Sequence, residues 1–325
     1  MNKISRRELL RSSAVACGAA LTAGSAANWS IFAPASAFAQ SKPSMNFPTA
    51  PRDRLAVASW PFRAEIVSPT NDYYDKSKPG VDLRDWALKI PKEFGVNGVE
   101  PLSSHFPSTD AHYLESFRKA IEGEHIHVVN IPVDNEFCFF DSDLANRKKA
   151  IANSQKWIDI AVAVGSPSVR TSMGDPKNSK PNVDLAADSL KQVAEYGAQK
   201  NVQVNLENDN PASEDPVFLV EVLGTVSLPY LHALPDFCNS MASSNNTEFN
   251  DKALKMLFQR AYNICHVKDS EVGEGGKVFR VDVKRCFDIV KAANYRGYFS
   301  MEWEGPENPY EGTKRLIAES LKNLS

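Results

Sequence analysis

Four short strand-like runs in the second half of the chain each end on a side chain that can bind a metal ion. The runs end at Glu207, Asp236, His266 and Glu302, so the gaps between them are 29, 30 and 36 residues. A β-strand together with its crossover helix takes about 30 residues. The spacing therefore predicts one metal-binding type of side chain at the end of each of four consecutive strand–helix units.

Short apolar runs alternate with longer amphipathic segments over the whole chain after residue 54, which favours parallel strands joined by crossover helices. We predict strands at 55–60, 98–100, 127–131, 168–170, 202–207, 231–236, 263–268 and 298–302, and helices at 81–94, 110–122, 141–164, 183–200, 216–224, 251–261, 282–292 and 309–324. Eight such units predict an α/β fold of the (β/α)8 TIM-barrel class, whose usual size is about 250 residues. An open doubly wound sheet is the alternative, but no G-x-G-x-x-G or phosphate-binding loop follows a strand.

The alternation of side chains along the predicted strands supports the barrel. Val204 and Leu206 alternate with Asn205 and Glu207, and the same alternation of apolar and polar residues recurs at 299–304. Successive side chains of a strand point to opposite faces. The apolar set is thus expected to face the helices, and the polar set the barrel mouth, where barrel enzymes keep their active sites.

The first 39 residues are set apart from the fold because they have the features of an export signal. The stretch SRRELL at 5–10 is similar to a twin-arginine motif, a weakly apolar segment rich in alanine and serine follows, and AFA stands at 37–39. This order of segments is typical of a cleaved signal peptide. We therefore predict a twin-arginine signal peptide at 1–39, a Pro/Ser-rich tether at 40–53, a single catalytic domain at 54–325, and a periplasmic or secreted protein.

Charge and apolar content exclude two classes of partner. Loss of the leader would change the formal net charge from −3 to −6, and no basic run remains to bind a nucleic-acid backbone. No other stretch reaches the roughly 18 apolar residues of a membrane span, so the mature chain is not expected to insert into a membrane. Cys238 and Cys265 are expected to be free and buried, and assembly into a homo-oligomer stays open.

The four strand-end residues together form an oxygen-rich set of ligands. Such a set suits Mn²⁺, Mg²⁺ or Co²⁺ better than a structural zinc site, which favours cysteine and histidine. A single carboxylate at a strand end is usually a helix cap or an ion-pair partner, but a barrel brings all four strand ends to one mouth. We predict one divalent metal ion there, with manganese first and magnesium, cobalt or zinc as alternatives.

The local motifs resemble those of the sugar isomerase/epimerase barrels, which are xylose-isomerase-like. The matching stretches are LEN at 206–208, LPDFCN at 234–239, HVKD at 266–269 and MEWEG at 301–305. The resemblance implies that Glu207, Asp236, His266 and Glu302 bind one divalent metal, and that Glu207 and Glu302 are the catalytic acid/base groups. One departure is Asp209, because many relatives have histidine two residues after the first glutamate.

The expected reaction is a proton transfer on a small-molecule sugar. A metal-bound carbonyl acidifies the neighbouring C–H, one glutamate removes the proton to give an enediolate, and the other returns it. Return on the opposite face is epimerisation, and return at the neighbouring carbon is isomerisation. Export from the cytoplasm and the absence of a phosphate-binding loop favour a sugar without phosphate.

Three other functions remain as alternatives at this stage. A 3-keto-glycoside lyase would use the same metal and base for β-elimination, and a non-catalytic barrel would bind sugar without turnover. An apurinic endonuclease of the same superfamily would need more metal ligands and a basic groove. Six histidines and a net negative charge argue against the endonuclease.

Five further residues are candidates for binding the substrate: Lys268, Arg170, His105, Glu100 and Trp60. Each also has a purely structural interpretation. Lys268, Arg170 and Glu100 stand at strand ends, where an ion pair inside the barrel would explain their presence equally well. His105 has the alternative of a solvated loop residue, and Trp60 that of core packing.

Overall fold

The computed structural model describes residue 43 and residues 45–174 and 179–325, so the predicted export signal at 1–39 lies outside the described residues. The strands in these ranges are β1 (Leu55–Ala58), β2 (Gly98–Glu100), β3 (His127–Val128), β4 (Ile131–Val133), β5 (Ser168–Thr171), β6 (Gln203–Glu207), β7 (Leu231–Leu234), β8 (Ile264–Val267), β9 (Ser270–Val272), β10 (Val278–Arg280) and β11 (Tyr298–Met301).

The strands other than β9 and β10 pair in parallel around a single ring. One arc has the order β3-β2-β1-β11-β8, and the other has the order β4-β5-β6-β7. At one junction β3 leads directly into β4. At the other junction, isolated bridges join Ala233 to Ala261 and Asp236 to His266. The ring confirms the predicted (β/α)8 barrel.

The helices form the outer layer, and most begin at a side chain that accepts a backbone N–H of the first turn. They are α1 (Leu83–Phe94), α2 (Ala111–Gly123), α3 (Leu144–Val164), α4 (Val183–Lys200), α5 (Pro216–Val226), α6 (Asn239–Ser244), α7 (Thr247–Phe258), α8 (Val283–Ala292) and α9 (Pro309–Leu324). Capping by aspartate or asparagine, as by Asp82 before α1 and Asn182 before α4, satisfies donors that would otherwise lack partners. In the described ranges, no helix has the length and apolar character needed to cross a bilayer.

The side chains of the strands divide between an apolar outer core and a polar interior. Val204 and Leu206 of β6 belong to the large core between strands and helices, whereas Asn205 and Glu207 are buried on the other face. The predicted alternation is therefore confirmed. Cys138, Cys238, Cys265 and Cys286 are buried and free, as predicted for the second and third of these.

Three predicted strands are wrong in extent by two residues or more, and one of them, 231–236, ends at Leu234. Strand β1 ends at Ala58, because Ser59 is helical and a short 3₁₀ helix follows at Trp60–Phe62. The predicted strand 127–131 is split into β3 and β4. At the break, Asn130 turns its side chain inward and donates to Glu100 Oε1 at 2.8 Å. The end of β1 lies at the C-terminal end of the barrel, and the break between β3 and β4 places Asn130 against a glutamate of the barrel interior.

The elements between β7 and β11 also differ from the prediction. The predicted helix 251–261 is instead α7, and the short helix α6 precedes it without having been predicted. The antiparallel hairpin of β9 and β10 follows β8 directly, and the sequence analysis missed it. Its strands have three residues each, which is too short for a clear period-two pattern.

Part of the segment predicted as a tether packs against the barrel. The ring of Phe47 makes edge contacts with Tyr262 at 5.5 Å and Tyr298 at 6.0 Å between centroids. The hydroxyl of Tyr262 donates to the carbonyl of Pro43 at 3.1 Å. These contacts cover the N-terminal end of the barrel, opposite the mouth.

Candidate metal centre

The four predicted metal ligands meet at the C-terminal ends of their strands. Glu207 ends β6, Asp236 follows β7, His266 lies in β8 and Glu302 follows β11. One ligand atom from each lies within 4.8 Å of the others. All four side chains are at most 2% exposed. The barrel therefore brings the predicted quartet to one buried point.

His266 is oriented by a carboxylate on its far side. Its Nε2 lies 3.0 Å from Glu100 Oε1, while its Nδ1 faces Glu207 Oε1 at 2.8 Å and Glu302 Oε2 at 3.3 Å. Histidines that bind metals commonly donate their second N–H to a carboxylate in this way. Burial lowers the pKa of His266, but the charges of Glu100, Glu302 and Glu207 outweigh it and raise that pKa well above its ordinary value.

Asp236 has one satisfied oxygen and one unsatisfied oxygen. Oδ1 accepts the backbone N–H groups of Cys238 and Asn239 at 2.8 and 2.7 Å. Oδ2 accepts no hydrogen bond from the described residues and lies 3.8 Å from Lys268 Nζ. Burial raises the pKa of Asp236 to about 6, against the opposing charge of Lys268. A buried carboxylate oxygen without a donor is costly, and a cation would satisfy it.

Two features of the quartet fit a divalent ion: the oxygen of Asp236 that accepts no hydrogen bond, and the kinds of ligand atom that the four side chains offer. Three carboxylates and one imidazole suit manganese, magnesium or cobalt, and zinc also accepts such ligands. The residues that would hold the ion are Glu207, Asp236, His266 and Glu302. The metal's identity stays a prediction.

A buried arginine supports one side of the quartet. The Nε of Arg170 lies 2.8 Å from Glu207 Oε2, and its Nη1 lies 2.8 Å from Asp134 and 3.2 Å from Asp209. Burial opposes ionisation of Glu207, but the charges of His266 and Arg170 prevail and hold its pKa below the ordinary value. Asp209, the departure from the family pattern, thus pairs with Arg170.

A buried lysine supports the opposite side. The Nζ of Lys268 lies 3.1 Å from Glu302, 2.8 Å from Glu271, 3.8 Å from Asp236 and 3.7 Å from Glu304. Burial alone would lower the pKa of Lys268, yet the surrounding carboxylates raise it well above its usual value. The structural interpretation of Lys268 and Arg170 as ion-pair partners is therefore confirmed, and both also border the mouth.

A sequence profile described as xylose isomerase-like TIM barrel matches residues 88–324. The chain belongs to this family. A search of curated proteins gave no match. The match spans most of the barrel and includes all four predicted ligands.

Solved structures with the same fold include 3-keto-D-glucoside 4-epimerase from E. coli, with a TM-score of 0.60 and 14% identity over 83% of this chain and 99% of that one. D-Allulose 3-epimerase from Methylomonas sp. gives a TM-score of 0.62 and 15% identity, over 86% of this chain and 98% of that one. A xylose isomerase-like TIM barrel protein from Mycobacterium smegmatis, in complex with magnesium, gives a TM-score of 0.62 and 15% identity, over 83% of this chain and 97% of that one. At these identities the likeness shows the barrel fold.

Among the remaining candidates in this family member, His105 differs most from expectation. The interpretation of His105 as a solvated loop residue is wrong, because its side chain is 0% exposed and its Nδ1 lies 2.8 Å from Ser59 Oγ. Trp60 is 3% exposed and donates its indole N–H to Glu304 at 3.2 Å. Glu100 is fully buried behind His266, an arrangement that favours orienting the ligand over touching the substrate.

Two residues of the centre were missed by the sequence analysis. Asn239 donates to Glu207 Oε1 at 3.2 Å and accepts from Lys268 at 2.9 Å, so it joins the two sides. Its position three residues after Asp236, within the LPDFCN motif, was the available signal. Glu271 comes from the unpredicted hairpin, so nothing in the strand pattern indicated it.

Proposed function

We propose that the protein is a divalent-metal-dependent isomerase or epimerase of a sugar without phosphate. The observation that carries this proposal is the convergence of Glu207 and Glu302 on His266 Nδ1, at 2.8 and 3.3 Å, beside the orphan oxygen of Asp236. A bound ion would polarise a substrate carbonyl and acidify the neighbouring C–H.

The chain's own residues then move the proton. Against the effect of burial, the charges of His266 and then Arg170 hold the pKa of Glu207 below its ordinary value, so its carboxylate is available to accept the proton of the acidified C–H. Glu302, protonated at the start of the turnover, gives its own proton to the resulting enediolate, Lys268 at 3.1 Å stabilises the carboxylate that remains, and exchange with solvent then resets both glutamates. General acid–base groups of this kind contribute about 10²- to 10⁴-fold in rate. The carbon and face that receive the proton decide between isomerisation and epimerisation.

The charges around the mouth support an uncharged substrate. Arg63, Arg170, Lys268 and His266 face a larger set of acids: Glu100, Asp134, Glu207, Asp209, Asp236, Glu271, Glu302 and Glu304. Each of these cations is already paired with at least one carboxylate. A phosphate would therefore find no unpaired cation among these residues. Export, which we also propose, would bring the enzyme to free or glycosidic sugars.

The proposal is tested by deuterium uptake into the sugar. The leader-free protein with Mn²⁺ is incubated in D₂O with D-fructose, D-allulose, D-xylose and D-fructose 6-phosphate, and C–H signals are followed by NMR. We expect exchange and a new sugar with at least one free substrate, loss of both in Glu302→Gln, and retention in Glu221→Gln, an exposed control on α5. A preference for the phosphate ester would contradict the free-sugar assignment. Sugar binding without exchange would indicate a binding protein.

Metal dependence has its own test, elemental analysis of the purified protein. We expect about one ion per chain, lost in Glu207→Gln and His266→Ala. Absence of a bound ion, together with no uptake of added Mn²⁺, Mg²⁺, Co²⁺ or Zn²⁺, would contradict the metal-dependent mechanism.

A second candidate function, β-elimination from a 3-keto-glycoside, is favoured by an additional acid at the mouth. Glu271 contacts Lys268 at 2.8 Å, and burial followed by the charge of Glu304 raises its pKa to about 8. A protonated Glu271 would supply the proton that a departing alkoxide needs. Release of free aglycone from a 3-keto-glycoside, slowed in Glu271→Gln, would support the lyase, and epimerisation without release would exclude it.

A further inference from the structure

His105 is a buried histidine that neither the metal quartet nor the proton transfer uses. It ends the 3₁₀ helix Ser103–His105 after β2, while Ser59, its partner, follows β1. Both residues therefore lie at the C-terminal end of the barrel, where the quartet lies. The side chain of His105 is fully buried, so each ring nitrogen needs a partner inside the protein or on a ligand.

Hydrogen bonding around Ser59 favours one tautomer of the His105 ring. Ser59 Oγ accepts the backbone N–H of Leu102 at 2.8 Å, and its own hydrogen is free to reach His105 Nδ1, also at 2.8 Å. This arrangement satisfies the hydroxyl and leaves the hydrogen of the neutral ring on Nε2. Burial, and next the charge of Arg63, lower the pKa of His105 to about 3, so the ring is neutral.

The Nε2–H group has no hydrogen-bond partner among the described residues. An orphan buried donor costs about 1–3 kcal/mol, and a simple core position would be filled without that cost by an apolar side chain. Such groups in native proteins call for a functional reason. His105 lies at the same end of the barrel as the proposed sugar site.

Two charged residues place His105 between the sides of the centre. Arg63 and Asp134 are its electrostatic neighbours. Asp134 pairs with Arg170 at 2.8 Å, and Arg63 lies 3.7 Å from Glu304 and stacks on Trp60 at 4.2 Å. The ring thus belongs to the wall that connects the arginine side to Glu304 on the lysine side.

We propose that His105 binds the substrate by donating its Nε2–H to a hydroxyl or carbonyl oxygen of the sugar, with Ser59 selecting the tautomer. This assignment rests on the proposed function for the kind of ligand. It adds a neutral donor to a mouth that is otherwise dominated by charged groups, and a neutral donor recognises a polyol oxygen without requiring a charge on the substrate.

Two substitutions of His105 test the roles of its two ring nitrogens separately. In His105→Asn the amide replaces Nδ1 and keeps the bond to Ser59, but the distal donor is lost. In His105→Gln the amide reaches the position of Nε2 and restores a donor there. We expect KM for the sugar found active to rise about 10- to 30-fold in His105→Asn with kcat within about three-fold, and a smaller rise, about three-fold, in His105→Gln.

The matched control is His232→Asn at the opposite end of the barrel, where Nε2 contacts the carbonyl of Pro229 at 2.9 Å. We expect its KM to be unchanged. Equal KM values for wild type and His105→Asn would overturn the proposal, as would equal rises in both His105 variants accompanied by equal losses of thermal stability, which a structural role predicts.

NMR of ¹⁵N-histidine-labelled protein with Mg²⁺ separates this inference from the proposed reaction. Before any sugar is added, the His105 ring should show hydrogen on Nε2 at pH 7, and a Nδ1–H tautomer would overturn the assignment. D-Fructose and D-allulose should then shift the Nε2 signal. A shift without turnover would refute the proposed reaction and keep the binding role, whereas turnover without a shift would do the reverse.

Discussion

The two ends of the barrel differ in the charged groups that they hold, although buried atoms without a hydrogen-bond partner occur at both, such as Gln203 Oε1 and Asn263 Oδ1 at the N-terminal end. At the N-terminal end, Arg54 donates to the carbonyls of Gly297 and Tyr295 at 3.0 and 3.2 Å, and Tyr262 donates to Pro43. At the C-terminal end, Asp236 Oδ2, Glu100 Oε2 and His105 Nε2 have no hydrogen-bond partner among the described residues. The same strands run through both ends.

This difference indicates which end of the barrel contributes mainly to stability and which end is suited to chemistry. Paired groups at the N-terminal end contribute to folding, since each satisfied buried group avoids a desolvation cost. Orphan atoms and crowded carboxylates at the mouth cost free energy that a bound cation and sugar would offset. Substitutions at the two ends should therefore have separable effects on activity and stability.

The largest expected effect is on catalysis at the mouth. Glu302→Gln should lower kcat/KM about 10³-fold, because it removes an acid/base group while keeping the shape of the side chain. Its melting temperature should stay close to that of wild type. Steady-state kinetics and a thermal melt test both parts, and a loss of activity that merely follows unfolding would contradict the assignment.

A second prediction concerns the ion and stability. Mn²⁺ at about 100 times its Kd should raise the free energy of unfolding by roughly 3 kcal/mol, since an ion that binds only the folded state stabilises it by mass action. Denaturant titrations with and without the ion measure this change. Glu207→Gln serves as the matched variant, and an equal gain there would place the ion elsewhere.

At the opposite end, Phe47→Ala should lower the free energy of unfolding by about 1–2 kcal/mol. It removes the edge contacts with Tyr262 and Tyr298, and aromatic pairs of this kind contribute about 0.5–1.5 kcal/mol beyond their buried area. Activity at a temperature below the melt should be unchanged. A fall in kcat/KM comparable to that of Glu302→Gln would break the proposed division between the two ends.

The smallest expected effect is a pH dependence from His105. Its pKa in the folded protein is lowered to about 3, mainly by burial and next by Arg63, against a weaker opposing effect of Asp134. The unfolded chain therefore binds the proton first, and stability present above about pH 6.5 is lost as pH falls below it. Between pH 7.5 and 5.5 this loss should be about 1 kcal/mol and absent in His105→Gln, as urea titrations at both values would show. An identical slope in both proteins would contradict the depressed pKa.

The candidate metal centre was largely predictable because its residues lie at strand ends. Parallel strands of a barrel end at one mouth, so regular spacing brought Glu207, Asp236, His266 and Glu302 together in the prediction. Their order along the chain was enough, without any knowledge of distances. The residues that surround them follow no such rule.

The surroundings of the quartet depend on contacts between distant segments. Arg170 meets Asp134 and Asp209 from three different loops or strand ends, and Glu271 enters from a hairpin too short to show a period. His105 was placed on a loop after the second strand, with a substrate contact and exposure to solvent as its two interpretations. The fold buries it against Ser59, more than 40 residues away.

By itself, the sequence determined the barrel class, the alternation of inward and outward side chains, and the convergence of the four predicted ligands, because these depend on local periodicity and on the ends of strands. The tertiary structure alone decided which nitrogen of His266 faces the quartet, how Arg170 and Lys268 are neutralised, and which buried atoms remain without a partner. Those features are set by distances between side chains far apart in the chain, and electrostatic energies and hydrogen bonds depend on such distances within tenths of an ångström.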